Sequence, residues 1–232
     1  MTADRRARLR AMLADHAGVA DSLRGICELC VTELAVSGAR VRVLGGVAAD
    51  GGGALVYATD AMSVRLEDLA ATSGVGPCFD AFNLRRPVLV PALAAEHTRW
   101  PGFGAEALEV GVAALFTFPL QLGGVRVGVL ELHRARVGAL DGEQVAAALV
   151  LSDLATETIL ADLDGSAPME LVEIVDVQAE VHQATGFVAV DLGVPLNEAL
   201  LRIRGYAFAN RQTLTDVSRR IIERRLRLED GE

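Results

Sequence analysis

Residues Val112–His133 read VAALFTFPLQLGGVRVGVLELH, and they give the clearest indication of the fold. Two apolar runs stand on either side of Gly123-Gly124. A glycine pair accepts the positive backbone angles of the two-residue turns that join adjacent strands. The stretch therefore predicts two antiparallel strands, Val112–Leu120 and Val125–His133, connected as a β-hairpin.

Upstream of this hairpin the sequence predicts further strands and several short helices. Ala39–Val47 and Ala54–Thr59 are rich in aliphatic residues and enclose a glycine-rich turn, so they predict a second hairpin. Pro87–Pro91 is an apolar triplet between two prolines, which suits the edge of a sheet. Short helices are expected after Ser63, which can act as an N-cap, and after Gly76.

Long helices are predicted on both sides of this region. In the first, Asp4–Ser37, apolar residues recur at alternating steps of four and three, which is typical of paired helices. Such a helix can pack on its own domain or pair as a coiled coil with the same helix of a second chain, and we expect a homodimer. The repeating positions are Leu9, Leu13, His16, Ala20, Leu23, Cys27, Cys30 and Leu34. Cys27 and Cys30 are interpreted as small core residues. The second helix, Asp141–Leu163, precedes Asp164–Pro168, which we interpret as an interdomain linker.

Four short motifs in the N-terminal part resemble those of the GAF domain, a module that senses small molecules and signals. They are Gly76-Pro77-Cys78, Arg86-Pro87-Val88, Pro119-Leu120 and Gly128-Val129-Leu130. The resemblance covers residues 15–162 and implies an antiparallel sheet with flanking helices. It implies a small-molecule ligand of unknown identity, and we expect no cofactor.

Cys78 is the one weak candidate for a ligand-binding or thiol-sensing residue. It precedes a predicted helix N-terminus, where the pKa of a thiol can be lowered. An inert, partly buried thiol explains the same residue.

The C-terminal stretch Val177–Leu228 predicts three helices separated by two tight turns. Gly193-Val194-Pro195 ends the first helix and begins the second, because glycine tolerates left-handed geometry and proline suits a first helical turn. Asn210-Arg211-Gln212 forms the second turn, and Thr213 with Asp216 resembles a capping box. The stretch holds 8 Arg and 5 acidic residues within a chain of net charge −9.

The same stretch resembles the ANTAR domain, the RNA-binding output module of bacterial antitermination regulators. The matching pieces are Gln183-Ala184-x-Gly186, Ala199-x-x-x-x-Arg204-x-x-Ala207, and Arg211-x-x-Leu214-x-x-Val217 followed by Ile221-Ile222. The resemblance implies binding of tandem short stem-loops in nascent mRNA. The chain departs from the family at Thr185, where a lysine is usual, and at Ser218, where an alanine is usual.

Together the two resemblances predict an α+β chain of the kind known among actinobacterial regulators. A GAF domain with its N-terminal helix would occupy residues 1–163, a linker 164–168, and a three-helix ANTAR domain 169–228. We expect a signal at the GAF domain to control RNA binding by the ANTAR domain.

The candidate RNA-contacting residues combine guanidinium groups, which pair with phosphates, with polar and aromatic groups that contact unpaired bases. They are Arg204, Tyr206, Arg211, Gln212, Thr213, Arg219 and Arg220. Simpler explanations stay open: exposed arginines are commonly just solvated, Tyr206 can pack against a neighbouring helix, and Thr213 can act as a cap alone.

Other classes of protein are weighed on motifs and composition. The sequence contains no P-loop, GxSxG or HExxH motif, so we expect no enzymatic activity. A DNA-binding regulator and a sensory or scaffold protein that binds a protein partner are the alternatives. The N-terminus leads into no signal-type segment, no uninterrupted apolar run is long enough to span a bilayer, and three cysteines suit reduced thiols. We therefore expect a cytoplasmic protein without membrane contact.

Overall fold

The computed structural model describes residues 2–44, 53–163 and 179–228. The part up to residue 163, here called the sheet unit, holds a five-stranded antiparallel sheet with helices on both faces. The part from residue 179, here called the helical unit, holds three helices.

The bounds of the elements follow the predicted order along the chain. The strands are β1 (Gly38–Val43), β2 (Ala54–Ala58), β3 (Val88–Val90), β4 (Ala114–Leu122) and β5 (Val125–Arg134). The helices of the sheet unit are α1 (Thr2–Met12), α2 (Val19–Leu34), α3 (Ala61–Ser73), α4 (Pro77–Leu84), α5 (Leu93–Glu96), α6 (Phe103–Glu109) and α7 (Gly142–Leu163). The helices of the helical unit are α8 (Ala179–Leu192), α9 (Leu196–Ala209) and α10 (Leu214–Ile222).

Both predicted hairpins are confirmed as antiparallel strand pairs, and the strand order is β2-β1-β5-β4-β3. The turn between β4 and β5 lies at Gly123-Gly124, with Gly123 at φ 56°. β3 is an edge strand, as its flanking prolines predict. The turn expected between β1 and β2 lies outside the described residues.

Each face of the sheet has its own apolar core. One face packs against α2 and α7, and the other lies under α3, α4 and α6. The central strands β1, β5 and β4 contribute to both cores because successive side chains point to opposite faces. Burial on both sides explains why β4 and β5 read as nearly continuous apolar runs.

The predicted opening helix is in fact two helices, which is a correction. Gly18, at φ 81°, precedes α2 and separates it from α1. Leu9, Leu23, Cys27 and Cys30 of the predicted coiled-coil face are buried within the chain's own core. The periodicity thus reflects packing on the sheet and on α7, and it carries no evidence for a homodimer.

α7 is also a core helix. By length and composition it is the single unbroken helix in the described ranges that is apolar enough to cross a membrane. It packs against α2 and β4, and half of its most apolar window, 50%, is buried inside the protein. This burial accounts for its apolar character without a bilayer.

Local signals explain most helix ends, with one correction. The N-cap of α3 is Asp60 rather than Ser63, since the Asp60 carboxylate accepts a hydrogen bond of 2.8 Å from the Ser63 backbone N–H. In the helical unit Gly193 has φ 65°, and Thr213 Oγ1 accepts from Asp216 N–H at 3.1 Å, as predicted. The predicted linker 164–168 lies outside the described residues.

Candidate functional site

A cluster of four buried charged side chains lies between the sheet and α3. Because side chains alternate along β1, Arg40 and Arg42 point towards α3, and both are 1% exposed. Glu131 of β5 lies directly opposite Arg40 in the strand register. Glu67 of α3 completes the set, which we call the charged cluster.

The two carboxylates of the charged cluster are shared among several donors. Arg40 Nη2 donates to Glu131 Oε1 at 2.6 Å, and its Nη1 donates to Glu67 Oε2 at 3.0 Å. Arg42 Nη1 lies 2.9 Å from Glu67 Oε1. Thr117, opposite Glu131 on β4, donates to Glu131 Oε2 at 3.0 Å. Two cations and two anions therefore balance each other in an apolar setting.

The electrostatics of the cluster favour the charged form of Arg40. Burial alone lowers the pKa of Arg40, but the Glu131 and Glu67 carboxylates outweigh it, so the pKa ends above its usual value. The Arg42 guanidinium also lies over the Phe79 ring, 5.1 Å from its centre.

Cys78 lies in α4 close to the charged cluster, and the expectation of a lowered thiol pKa is wrong. Burial raises the pKa of Cys78 to about 12, with a further contribution from Glu131. The residue is 0% exposed. The desolvation of the thiol exceeds any benefit of the helix N-terminus, so Cys78 is a core residue here. Within the described ranges no group of His, Cys, Asp and Glu is arranged to hold a metal ion.

The sequence reasoning missed the charged cluster. The available signal was the alternation Arg40-Val41-Arg42 in one predicted strand and Glu131 within the otherwise apolar run of another. Charged residues are almost never fully buried unless they are paired. The pattern therefore indicated a buried ion pair, but it did not identify the partners.

The second candidate site is the arginine-rich surface of the helical unit, part of which faces the sheet unit. Arg204 Nε donates to the Ala71 carbonyl at 3.0 Å, near the end of α3. Gly74 also belongs to this contact. A Cβ atom added at Gly74 would lie only 3.0 Å from Arg204 Nη1. Phe208, one turn further along α9, lies similarly close to Gly102. α9 is thus docked on the sheet unit.

Beside this contact is a narrow cleft between the two units. Arg211, Gln212 and Thr213 line one side, and Asp68 and Glu106 belong to the other. Burial raises the pKa of Asp68, and repulsion from Glu67 and Asp216 adds to the effect, while Arg65 opposes it. Acidic groups of the sheet unit therefore face three of the predicted RNA-contacting residues.

The remaining predicted contacts point elsewhere. Tyr206 is partly buried against the core of the helical unit. Arg219 Nη2 pairs with Glu180 of α8 at 3.2 Å, with its side chain 51% exposed. Arg220 Nη1 donates to Gln212 Oε1 at 2.7 Å. The seven predicted residues therefore do not form one open surface.

The two departures from the family pattern are both buried. Thr185 is 7% exposed and its hydroxyl donates to the Val181 carbonyl at 2.7 Å. Ser218 is 0% exposed. Both positions belong to the interior of the helical unit, where neither side chain can contact a ligand directly.

Comparison with known proteins identifies the sheet unit. The GAF domain family model matches residues 16–159, more than half of the chain, and this chain belongs to that family. The helical unit lies outside the match. No curated protein sequence resembles the chain closely enough to count as a relative.

Solved structures share the fold at low sequence identity. The GAF domain of an Acinetobacter phosphoenolpyruvate-protein phosphotransferase has a TM-score of 0.54 at 14% identity, covering 72% of this chain and 98% of its own. The corresponding domain from Coxiella burnetii has 0.53 at 13% identity, covering 71% and 96%. Free methionine-R-sulfoxide reductase from Neisseria meningitidis, solved with its substrate, has 0.50 at 14% identity, covering 71% and 91%. The sheet unit therefore has the fold of a GAF domain.

Proposed function

We propose that this chain is a cytoplasmic, non-enzymatic regulator in which a GAF domain controls an ANTAR-like RNA-binding unit. Its ligand would be tandem short stem-loops in nascent mRNA, and its effect transcription antitermination. The motif resemblance and the local surplus of arginine, 8 Arg against 5 acidic residues in an acidic chain, support this proposal. Arginine suits phosphate recognition because its planar group makes two-pronged contacts.

The docking of α9 on the sheet unit is the observation that supports control by the GAF domain. Arg204 is held by the Ala71 carbonyl, and Arg211 faces the cleft that contains Asp68. RNA phosphates would compete with these contacts. A signal that loosens α3 would therefore release arginines for RNA, and RNA binding would stabilise the released state.

α3 connects the sensing side to this contact. Glu67 of the charged cluster and Ala71 of the docking contact are four residues apart on α3, so they lie one helical turn apart. A ligand or signal that rearranges Glu67 would move the end of the helix that holds Arg204.

The test is a fluorescence-anisotropy titration of the full chain with a leader RNA that carries two adjacent short stem-loops. A Phe208→Ala variant, which loosens the docking contact without removing a candidate arginine, is titrated in parallel. We expect salt-sensitive binding, tighter for Phe208→Ala than for the natural chain. Duplex DNA of equal length is the competitor, since a DNA-binding regulator would prefer it.

Failure of both proteins to bind the RNA at low salt would overturn the proposal. That result would favour the protein-partner alternative, in which the docked arginines act only within the chain. Equal affinity of the two proteins for RNA would leave RNA binding in place but remove the docking contact as its control.

A further inference from the structure

The helical unit contains a groove that does not include the residues of the docking contact. The motif resemblance assigns this groove no role. It is lined by α8, the end of α10 and the segment 223–228. Val188, Leu192 and Ile221 form its apolar floor. Phe187, Asp191 and two arginines, Arg224 and Arg227, also line it.

The groove is small, with a volume of about 110 Å³. Pockets for drug-sized ligands are roughly 300–1,000 Å³, whereas a closed cavity of roughly 150 Å³ takes up benzene. The size therefore suits one edge of a planar ring, with the rest of the ring lying in solvent. It excludes a large metabolite.

The backbone holds one of the two arginines at the groove in an unusual conformation. Arg224 has φ 56°, a left-handed angle that is uncommon for a residue other than glycine. Hydrogen bonds from Arg224 N to the Ile221 carbonyl at 3.0 Å and from Arg225 N to the Arg220 carbonyl at 2.8 Å fix this turn. The reversal packs Leu226 and Leu228 onto the helical core. Arg227, which lies between these leucines, is left on the surface, as are Arg224 and Arg225.

The side chains at the groove are accessible. Phe187 is 41% exposed, although it is a large aromatic residue on a helix with an apolar inner face. Arg224 and Arg227 are exposed. Arg225, between them, is 72% exposed and pairs with Glu223 at 3.3 Å. An aromatic ring flanked by accessible guanidinium groups is the arrangement that proteins use to stack an unpaired base and hold its phosphates.

We propose that this groove binds one unpaired base of the RNA, stacked on Phe187, with the adjoining phosphates on Arg224 and Arg227. The proposal rests on the RNA-binding function proposed above. Asp191 gives the groove a preference: its carboxylate accepts a hydrogen bond from the exocyclic amino group of adenine, cytosine or guanine. Uracil has no amino group and offers only its N3–H, which lies between two carbonyl oxygens that the carboxylate repels, so it binds less well.

The groove and the docking contact are formed by different residues of the helical unit. α9 contacts the sheet unit through Arg204 and Phe208, whereas the groove is formed by α8 and the chain after α10. The groove is therefore a surface that RNA can reach while α9 is still docked.

The experiment measures the affinity of full-length variants for the two-stem-loop RNA. Phe187→Leu keeps an apolar side chain but removes the ring, and we expect about 5- to 100-fold weaker binding. Val190→Ala is the control, because Val190 lies on the same helix, is 82% exposed and does not line the groove. We expect Val190→Ala to leave the affinity for the RNA unchanged.

Two further measurements separate the contribution of base stacking from the contributions of charge and of base identity. Arg224→Gln and Arg227→Gln each reduce the slope of log affinity against log salt by about 0.7–0.9. Single loop nucleotides are replaced in turn by uridine. One replacement weakens binding by the natural chain, and Asp191→Asn reduces that discrimination.

The outcomes distinguish this proposal from the function on which it rests. If the natural chain binds RNA with salt sensitivity but Phe187→Leu binds as tightly as Val190→Ala, the groove proposal is overturned while RNA binding stands. If neither the natural chain nor Phe208→Ala binds RNA, the proposed function and the groove proposal fall together.

Discussion

Glu131 is the more deeply buried of the two carboxylates of the charged cluster, with 1% exposed against 7% for Glu67. It accepts hydrogen bonds from Arg40 and from Thr117 in the interior of the sheet unit. Removing one partner of a buried ion pair leaves an uncompensated charge and costs roughly 3–5 kcal/mol. We expect Glu131→Gln to lower the free energy of unfolding by that amount in a urea titration followed by Trp100 fluorescence.

Arg8→Gln is the matched control for this variant. Arg8 pairs with Glu33 at 2.9 Å, but its side chain is 67% exposed. Exposed pairs contribute roughly 0–1 kcal/mol because water and salt screen them. Similar losses in the two variants would show that burial does not set the strength of the cluster.

The three cysteines give a prediction about pH. Burial raises the pKa of Cys78 to about 12 and raises the thiol pKa of Cys27 and Cys30 as well. Their thiolates are therefore rare at pH 8, and we expect no reaction with a disulfide reagent until the protein unfolds. In the unfolded protein the thiols have a pKa near the ordinary value of 9.0. The free energy of unfolding therefore falls as the pH rises above that value. Rapid labelling of any one cysteine in the native protein would contradict this.

At the level of helices and strands, two glycines of the helical unit test whether backbone conformation sets a helix end. Gly193 follows α8 with φ 65°, and Gly205 lies within α9; a Cβ atom at either position meets nothing within 4 Å. Gly193→Ala therefore adds only left-handed strain, roughly 1–2 kcal/mol. Gly205→Ala stabilises by roughly 0.5–1 kcal/mol, because alanine restricts the unfolded chain. Thermal unfolding followed by circular dichroism measures both, and a change of the same sign in the two variants would rule out this explanation.

The elements that were predictable depend on local signals. Gly123-Gly124 and Gly193-Val194-Pro195 mark turns through conformational preferences of the residues themselves. The charged cluster depends on contacts across 91 positions between Arg40 and Glu131, which no local pattern reveals. The same limit applies to the apolar face of α2, since periodicity shows that a face is buried but not which partner covers it.

Candidate RNA contacts were chosen by residue type, and the fold determines which of them are available. Arg204 was singled out from a helix motif, yet its guanidinium is occupied by the Ala71 carbonyl of a different unit. Arg224 and Arg227 lie after the last matched motif, Ile221-Ile222, and are not among the candidates. The left-handed turn at Arg224 places both beside Phe187, a neighbourhood that requires the tertiary packing of α8 and α10.

At the scale of the whole molecule, α3 is the element through which the charged cluster and the helical unit can influence each other. It carries Glu67, which binds Arg40 and Arg42, and Ala71, which binds Arg204. If the two contacts are coupled, loss of the Glu67 charge loosens α3 and then the docked α9. We expect Glu67→Gln to accelerate hydrogen exchange in both helices.

Glu131→Gln is the control that distinguishes this coupling from a general loss of stability. It removes the other carboxylate of the charged cluster, but from β5, which is not part of the docking contact. At equal global stability, adjusted with urea, we expect faster exchange in α9 for Glu67→Gln than for Glu131→Gln. Equal exchange rates in α9 would mean that the helical unit responds only to the stability of the sheet unit. Faster exchange confined to α3 would mean that a change at the cluster does not reach Arg204, so a signal would have to pass between the units by another route.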